Sequence, residues 1–144
     1  MTTRRTVLTA ALGTLLAPAA RATPEALKAA IDAFTGGRAP RTGRVTLDIA
    51  PLIDNGNVVP VAIRVDSPMT TADHVQRIGL FTELNPLPDV AVFHLGPRSG
   101  RAQVATRMRL ATSQTLTALA VMNDGSVWQQ QVDVIVTLAA CIES

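Results

Sequence analysis

The residue best equipped for chemistry in this chain of 144 residues is its single cysteine, Cys141, three positions before the last residue, Ser144. With no second cysteine it cannot close an internal disulfide, so on an exported chain it is incidental, an intermolecular cross-link or a working group. As a working group its chemistry is that of a sulfur nucleophile, which can attack, or be oxidatively joined to, another sulfur atom. A thiol near a chain end suits presentation to another protein's cleft. An active-site nucleophile instead needs rigid neighbours to orient it. Glu143, two residues on, would raise a nearby thiol's pKa, so a partner's positive charge would favour the thiolate.

Other candidate chemistries are thin. His74, His94 and Cys141 match no metal-ligand spacing, and His94 falls inside a strand pattern. No Gly-x-Ser-x-Gly is present to mark a hydrolase nucleophile. Gly36-Gly37-Arg38-Ala39-Pro40 follows no strand and lacks a P-loop lysine, so it reads as a linker. No cofactor motif is found. Arg98, Arg101, Arg107 and Arg109 form a basic row that reads as a solvated strand face or as a contact for an anionic partner. Trp128 reads as core or partner interface.

The N-terminus carries an address. Arg4-Arg5 precede an apolar stretch from Val7 to Leu16, and Ala20-Arg21-Ala22 supplies small residues for cleavage. Paired arginines before a short apolar core mark the twin-arginine export route, which predicts a periplasmic protein with residues 1–22 as signal peptide. The apolar run is too short to span a bilayer, so no membrane anchor is expected. The full chain has 13 Lys+Arg and 11 Asp+Glu. Three arginines and no acid leave with the signal, so 10 basic and 11 acidic residues remain, net −1. The basicity belongs to the address, and with few aromatic residues there is no case for nucleic acid. Because this route exports folded proteins, a partner without its own signal is an expected passenger.

The rest must position Cys141. Thr23 as N-cap, Pro24 at the first helical position, Leu27, Ile31 and Phe34 at helical spacing, and Gly36-Gly37 as a stop predict a short amphipathic helix. From residue 44 the pattern becomes alternating strands. Val45, Leu47 and Ile49 alternate with polar residues; Asp54-Asn55-Gly56-Asn57 is a turn; Val59, Val61, Ile63 and Val65 follow. His74 to Leu84 is a weaker strand with Val75, Ile78 and Phe81, and Asn85-Pro86-Leu87-Pro88 breaks it. Residues 90–95 and 101–110 alternate, the latter with Ala102, Val104, Thr106, Met108 and Leu110 on one face. Thr115 to Met122 and a last strand with Trp128, Val132, Val134, Val136 and Leu138 on one face flank the turn Asn123-Asp124-Gly125. About seven short strands predict an all-β, immunoglobulin-like sandwich over 23–138 with a short N-terminal helix. Residues 139–144 then form a cysteine arm on a rigid base.

With these residues in view, the chain resembles the SoxY family of bacterial sulfur-oxidation carrier subunits. The resemblance rests on the twin-arginine signal, the helix, Val-Thr-Leu-Asp-Ile at 45–49, Asp-Asn-Gly-Asn at 54–57 and Val-Asp-Ser-Pro-Met at 65–69. It extends through Asn-Pro-Leu-Pro-Asp at 85–89 and Phe-His-Leu-Gly-Pro-Arg-Ser-Gly at 93–100. It implies an immunoglobulin-like sandwich paired with a second small subunit, SoxZ. It also implies an arm cysteine that holds the sulfur substrate covalently, and separate enzymes: a c-type cytochrome that couples thiosulfate to the thiol and a hydrolase that releases sulfate. The carrier itself is no enzyme and takes no cofactor. The family arm reads Gly-Gly-Cys-Gly-Gly, whereas this chain has Ala139-Ala140-Cys141-Ile142-Glu143. Only the cysteine carries over. Alanines stiffen the arm, Ile142 adds bulk and Glu143 adds charge, as in a SoxY-related branch that serves other enzymes or another substrate. Two further readings stand beside the carrier: an interaction or structural subunit in which Cys141 is incidental, and a thiol-dependent sulfurtransferase.

Overall fold

The structure, a computed structural model, describes residues 22–140. One helix, α1 (Pro24–Thr35), precedes nine strands. These are β1 (Arg41–Thr42), β2 (Val45–Asp48), β3 (Leu52–Ile53), β4 (Val59–Val65), β5 (Val75–Thr82), β6 (Asp89–His94), β7 (Gln103–Met108), β8 (Gln114–Met122) and β9 (Val127–Val136). One sheet runs β1-β9-β8-β5-β6, with β3 also pairing β9; the other runs β2-β4-β7. The expected all-β sandwich with an N-terminal helix is what forms.

Its first interior is the space between the sheets. The alternation of β2 and β4 sends Val45, Leu47, Val59, Val61, Ile63 and Val65 inward, against Ile78, Leu80, Leu116, Ala118, Ala120 and Val134 of the larger sheet. Burial of such branched side chains contributes roughly 1.5–3 kcal/mol each. A second core lies on the opposite face of the larger sheet, where Phe34 of α1 meets Phe81, Leu119, Val121 and Val127. The Phe34 and Phe81 rings meet edge-to-face at 5.4 Å and 69°. Arg77 stacks over Phe34 at 5.1 Å and donates from Nη2 to the Phe34 carbonyl at 2.9 Å. Gly79 leaves room for this packing, since a Cβ there would lie 2.6 Å from Phe81 Cε2 and 2.9 Å from Phe34 Cε2.

Two cores explain the strand that read weakly. β5 faces the sandwich with Ile78 and Leu80 and the helix with Gly79 and Phe81, so both faces are apolar. Its register also shifts between Val75 and Arg77 and between Leu80 and Phe81, which spoils a period of two. The same double burial holds along β8. The two additional strands, β1 and β3, have two residues each and pair in parallel with β9. Elements that short carry no periodicity of their own.

The helix ends as its residues dictate. Thr23 Oγ1 accepts from the Ala26 amide at 3.1 Å, Pro24 opens the first turn, and Gly36 closes the helix at φ 67°. Thr23→Ala is expected to cost about 1 kcal/mol, read in a thermal melt as a Tm lower by roughly 4 °C.

Candidate functional site

Cys141, Ile142 and Glu143 of the expected arm and Arg4 and Arg5 of the expected export signal lie outside the described residues. The root of the arm is within them, and it is built from three distant parts of the chain. At the end of β9, Val136 N donates to Ser113 Oγ at 2.8 Å. Thr137 N donates to the Ile53 carbonyl at 2.9 Å, and Thr137 Oγ1 donates to the Asp54 carbonyl at 3.1 Å. These bonds draw the chain off the β8 ladder toward β3. Leu138, read as a continuation of the inward face, is instead 60% exposed. The strand has ended two residues before it, so the alternation no longer applies.

The turn Asp54-Asn55-Gly56-Asn57 is held by Asn55 Oδ1, which accepts from Asn57 N at 2.9 Å and Asn57 Nδ2 at 3.0 Å. At its tip Gly56 enters a closed set of backbone bonds. Gly56 N donates to the Leu138 carbonyl at 2.8 Å, Leu110 N donates to the Gly56 carbonyl at 2.8 Å, and Ala140 N donates to the Leu110 carbonyl at 3.1 Å. A Cβ on Gly56 would sit 2.5 Å from Leu110 O and 3.0 Å from Ala140 N. The clamp therefore needs glycine for close backbone approach, not for a left-handed turn. Of the arm residues, Ala139 is exposed, while Ala140 is buried and tied by its amide. Ala140 is the last of the described residues, and Cys141 follows it in the sequence.

Four exposed apolar side chains sit on the segments that lead to this root: Leu52 on β3, Val58 after the turn, Ile135 on β9 and Leu138 beyond it, each 56–60% exposed. Leu52 and Ile135 are register partners across β3 and β9. Val58 comes directly after the turn, two residues beyond Gly56, and Leu138 bonds to Gly56 through its carbonyl. Sequence reasoning missed the clamp. The turn motif at 54–57 was the available signal.

The remaining candidates are scattered. His74 lies within hydrogen-bond distance of the Thr70 carbonyl, Nδ1 to O 3.0 Å, and His94 is exposed on β6. Among the described residues no group of three or more His, Cys, Asp or Glu is placed to hold a metal ion. Arg98, Arg101, Arg107 and Arg109 are exposed, and none is in an ion pair among the described residues. Trp128 packs on the sandwich core beneath Arg41 and Arg44, at 5.6 and 5.8 Å from its ring centre. An open groove of about 800 Å³ runs along the outer face of β4 and β7, past Pro60, Ala62, Ala105 and Arg107. No histidine lines it. At the β8–β9 turn, donation from the Ser126 hydroxyl and amide holds the Asp124 carboxyl below its ordinary 3.8. No helix among the described residues is long and apolar enough to cross a membrane.

Comparison with known proteins places this geometry. The sequence model of the family described as "Sulfur oxidation protein SoxY" matches residues 31–141. None of the curated proteins matches the chain. Among solved structures, the superoxide reductase (neelaredoxin) from Ignicoccus hospitalis is similar, with 17% identity, a TM-score of 0.59 and coverage of 79% of this chain and 93% of that one. The superoxide reductase from Nanoarchaeum equitans follows at 13% identity and a TM-score of 0.56, covering 67% of this chain and 100% of that one. A variant of the Archaeoglobus fulgidus enzyme has 18% identity and a TM-score of 0.51, covering 63% and 86%. At such identities the likeness is one of fold alone.

Proposed function

The chain belongs to the SoxY family of sulfur oxidation proteins, and we propose that it is the carrier subunit that holds an inorganic sulfur intermediate covalently on Cys141. The observation that carries this reading is where the family match ends. It runs through the whole sandwich to residue 141, the lone thiol, and the three residues after it fall outside. The clamp at Gly56 and Ala140 supports it by giving the thiol a rigid base one residue away.

With thiosulfate as cargo, loading joins the Cys141 sulfur to the outer sulfur of thiosulfate. The thiol loses its proton, a sulfur–sulfur bond forms, and two electrons leave to an oxidant of the c-type cytochrome class. The product is an S-thiosulfonate. Water then cleaves the bond between the sulfane sulfur and the sulfonate, releasing sulfate and two protons and leaving a persulfide on Cys141. Both steps belong to separate enzymes, and the carrier supplies the thiol and its placement. A SoxZ-like subunit completes the complex and leaves the cytoplasm with it by the twin-arginine route, which makes the working compartment the periplasm. Ala139-Ala140 and Ile142-Glu143 in place of glycines fit client enzymes different from those that accept a glycine arm.

The test is the intact mass of the protein taken from the periplasm of its native cells without reductant, and again after reduction. Reducible mass at Cys141 in sulfur or sulfur-plus-sulfonate steps is the expected result. A bare thiol in cells fed several sulfur compounds would leave an interaction subunit in its place.

A further inference from the structure

The small sheet ends in an open edge at β7, which pairs with β4 and with no other strand. Val65 N donates to the Ala102 carbonyl at 2.9 Å, which fixes the phase of this ladder. Opposed residues of an antiparallel pair exchange bonds at every second position, so Val104, Thr106 and Met108 bond toward β4. Gln103, Ala105 and Arg107 turn their backbone groups outward. Gln103 N donates to the Arg101 carbonyl at 2.9 Å, whereas the amides of Ala105 and Arg107 have no acceptor among the described residues. The opposite edge of the same sheet is closed. On β2, Val45 N donates to the Gly43 carbonyl at 2.7 Å and Leu47 N to Gln130 Oε1 of β9 at 2.5 Å. Sheet edges are usually blunted in some such way, because free backbone groups invite another strand.

The side chains beside the open edge are basic. Arg101, Arg107 and Arg109 are exposed along β7 and its ends, and Arg64 of β4 lies opposite Gln103. Between the arginines the neighbours are small: Ala105 opposes Ala62, and Arg107 opposes Pro60. Acids border this face at Asp48 on β2 and Asp66 just after β4, and neither forms an ion pair with these arginines.

We propose that β7 receives a strand of a partner protein that carries acidic side chains at every second position. The added backbone extends the small sheet, and the carboxylates meet Arg101, Arg107 and Arg109. A second copy of this chain does not suit the edge. Added antiparallel about Ala105 it would set Arg101 against Arg109, and about Arg107 it would set that residue against itself. The proposal is independent of any chemistry at Cys141.

The probe is a short peptide alternating glutamate and threonine, titrated into the isotope-labelled protein and followed by amide shifts and hydrogen exchange. Binding should slow exchange at Ala105 and Arg107 roughly tenfold and weaken as salt is added. The same peptide with lysine for glutamate should bind roughly tenfold more weakly or not at all. A glutamate opposite Arg107 turns its own backbone groups toward β7. Methylating the glutamate amides should therefore abolish binding, while methylating the threonine amides leaves it within about twofold. Arg107→Glu and Arg101→Glu change exposed side chains, and each should lower affinity for the glutamate peptide roughly tenfold. No binding of the glutamate peptide, equal binding of the two peptides, or shifts centred on β6 would each overturn the proposal. Indifference to methylation of the glutamate amides would do the same, since the backbone would then play no part. A dimer in sedimentation whose Ala105 and Arg107 amides are already protected would assign the edge to a second copy and overturn it as well.

Discussion

Replacing Cys141 by serine is expected to abolish sulfur loading without changing the fold. A serine hydroxyl is not ionised at neutral pH and forms no sulfur–sulfur bond, so no adduct of either kind can exist. The effect is total, limited only by the detection floor of the mass measurement. Stability should not change, because the backbone tie between arm and body is made by Ala140 and serine differs from cysteine by one side-chain atom. The two thermal unfolding curves should superpose within about 1 °C. A serine variant that still supports growth on reduced sulfur compounds would falsify the carrier assignment. A variant that unfolds early would show instead that the thiol packs against the body.

The second large effect is expected at Gly56. In Gly56→Ala the new Cβ would lie 2.5 Å from the Leu110 carbonyl oxygen and 3.0 Å from the Ala140 nitrogen. Both are backbone atoms, so no side-chain rotation relieves the clash. The turn, the Leu110 segment or the arm root must move, and the bonds through Gly56, Leu110 and Ala140 stretch or break. Overpacking of this kind costs about 3 kcal/mol, visible as a lower urea midpoint. The arm should also come loose from the body, so Cys141 alkylates faster than in the wild type. Gly96→Ala is the control: nothing lies within 4 Å of its Cβ, and the expected change is within about 0.5 kcal/mol. Equal midpoints for the two variants would show that the clamp tolerates a methyl group. An unchanged alkylation rate in a destabilised Gly56→Ala would separate fold stability from arm position.

Fold and site were legible to different depths. Thr23, Pro24 and Gly36 announced the helix ends because capping is decided within a few residues. β2, β4 and β7 announced themselves by alternation, since each has one face toward the interior and one toward solvent. β5 did not, because α1 covers the face that solvent would otherwise meet and because bulges break its phase. Leu138 was misplaced for a related reason. Its alternation was extrapolated past Val136, where Thr137 turns away to bond Ile53 and Asp54.

The sequence by itself determined the lone thiol, the strand-rich class and the turn at 54–57, because each is a matter of residue type and near neighbours. Only the tertiary structure decided what that turn is for. Gly56, Leu110 and Ala140 are far apart along the chain, and their meeting depends on how β3, β4, β7 and β9 are paired. Strand pairing is set by packing between distant segments, which no local pattern encodes. The tie at Ala140, the residue before Cys141, follows from that pairing.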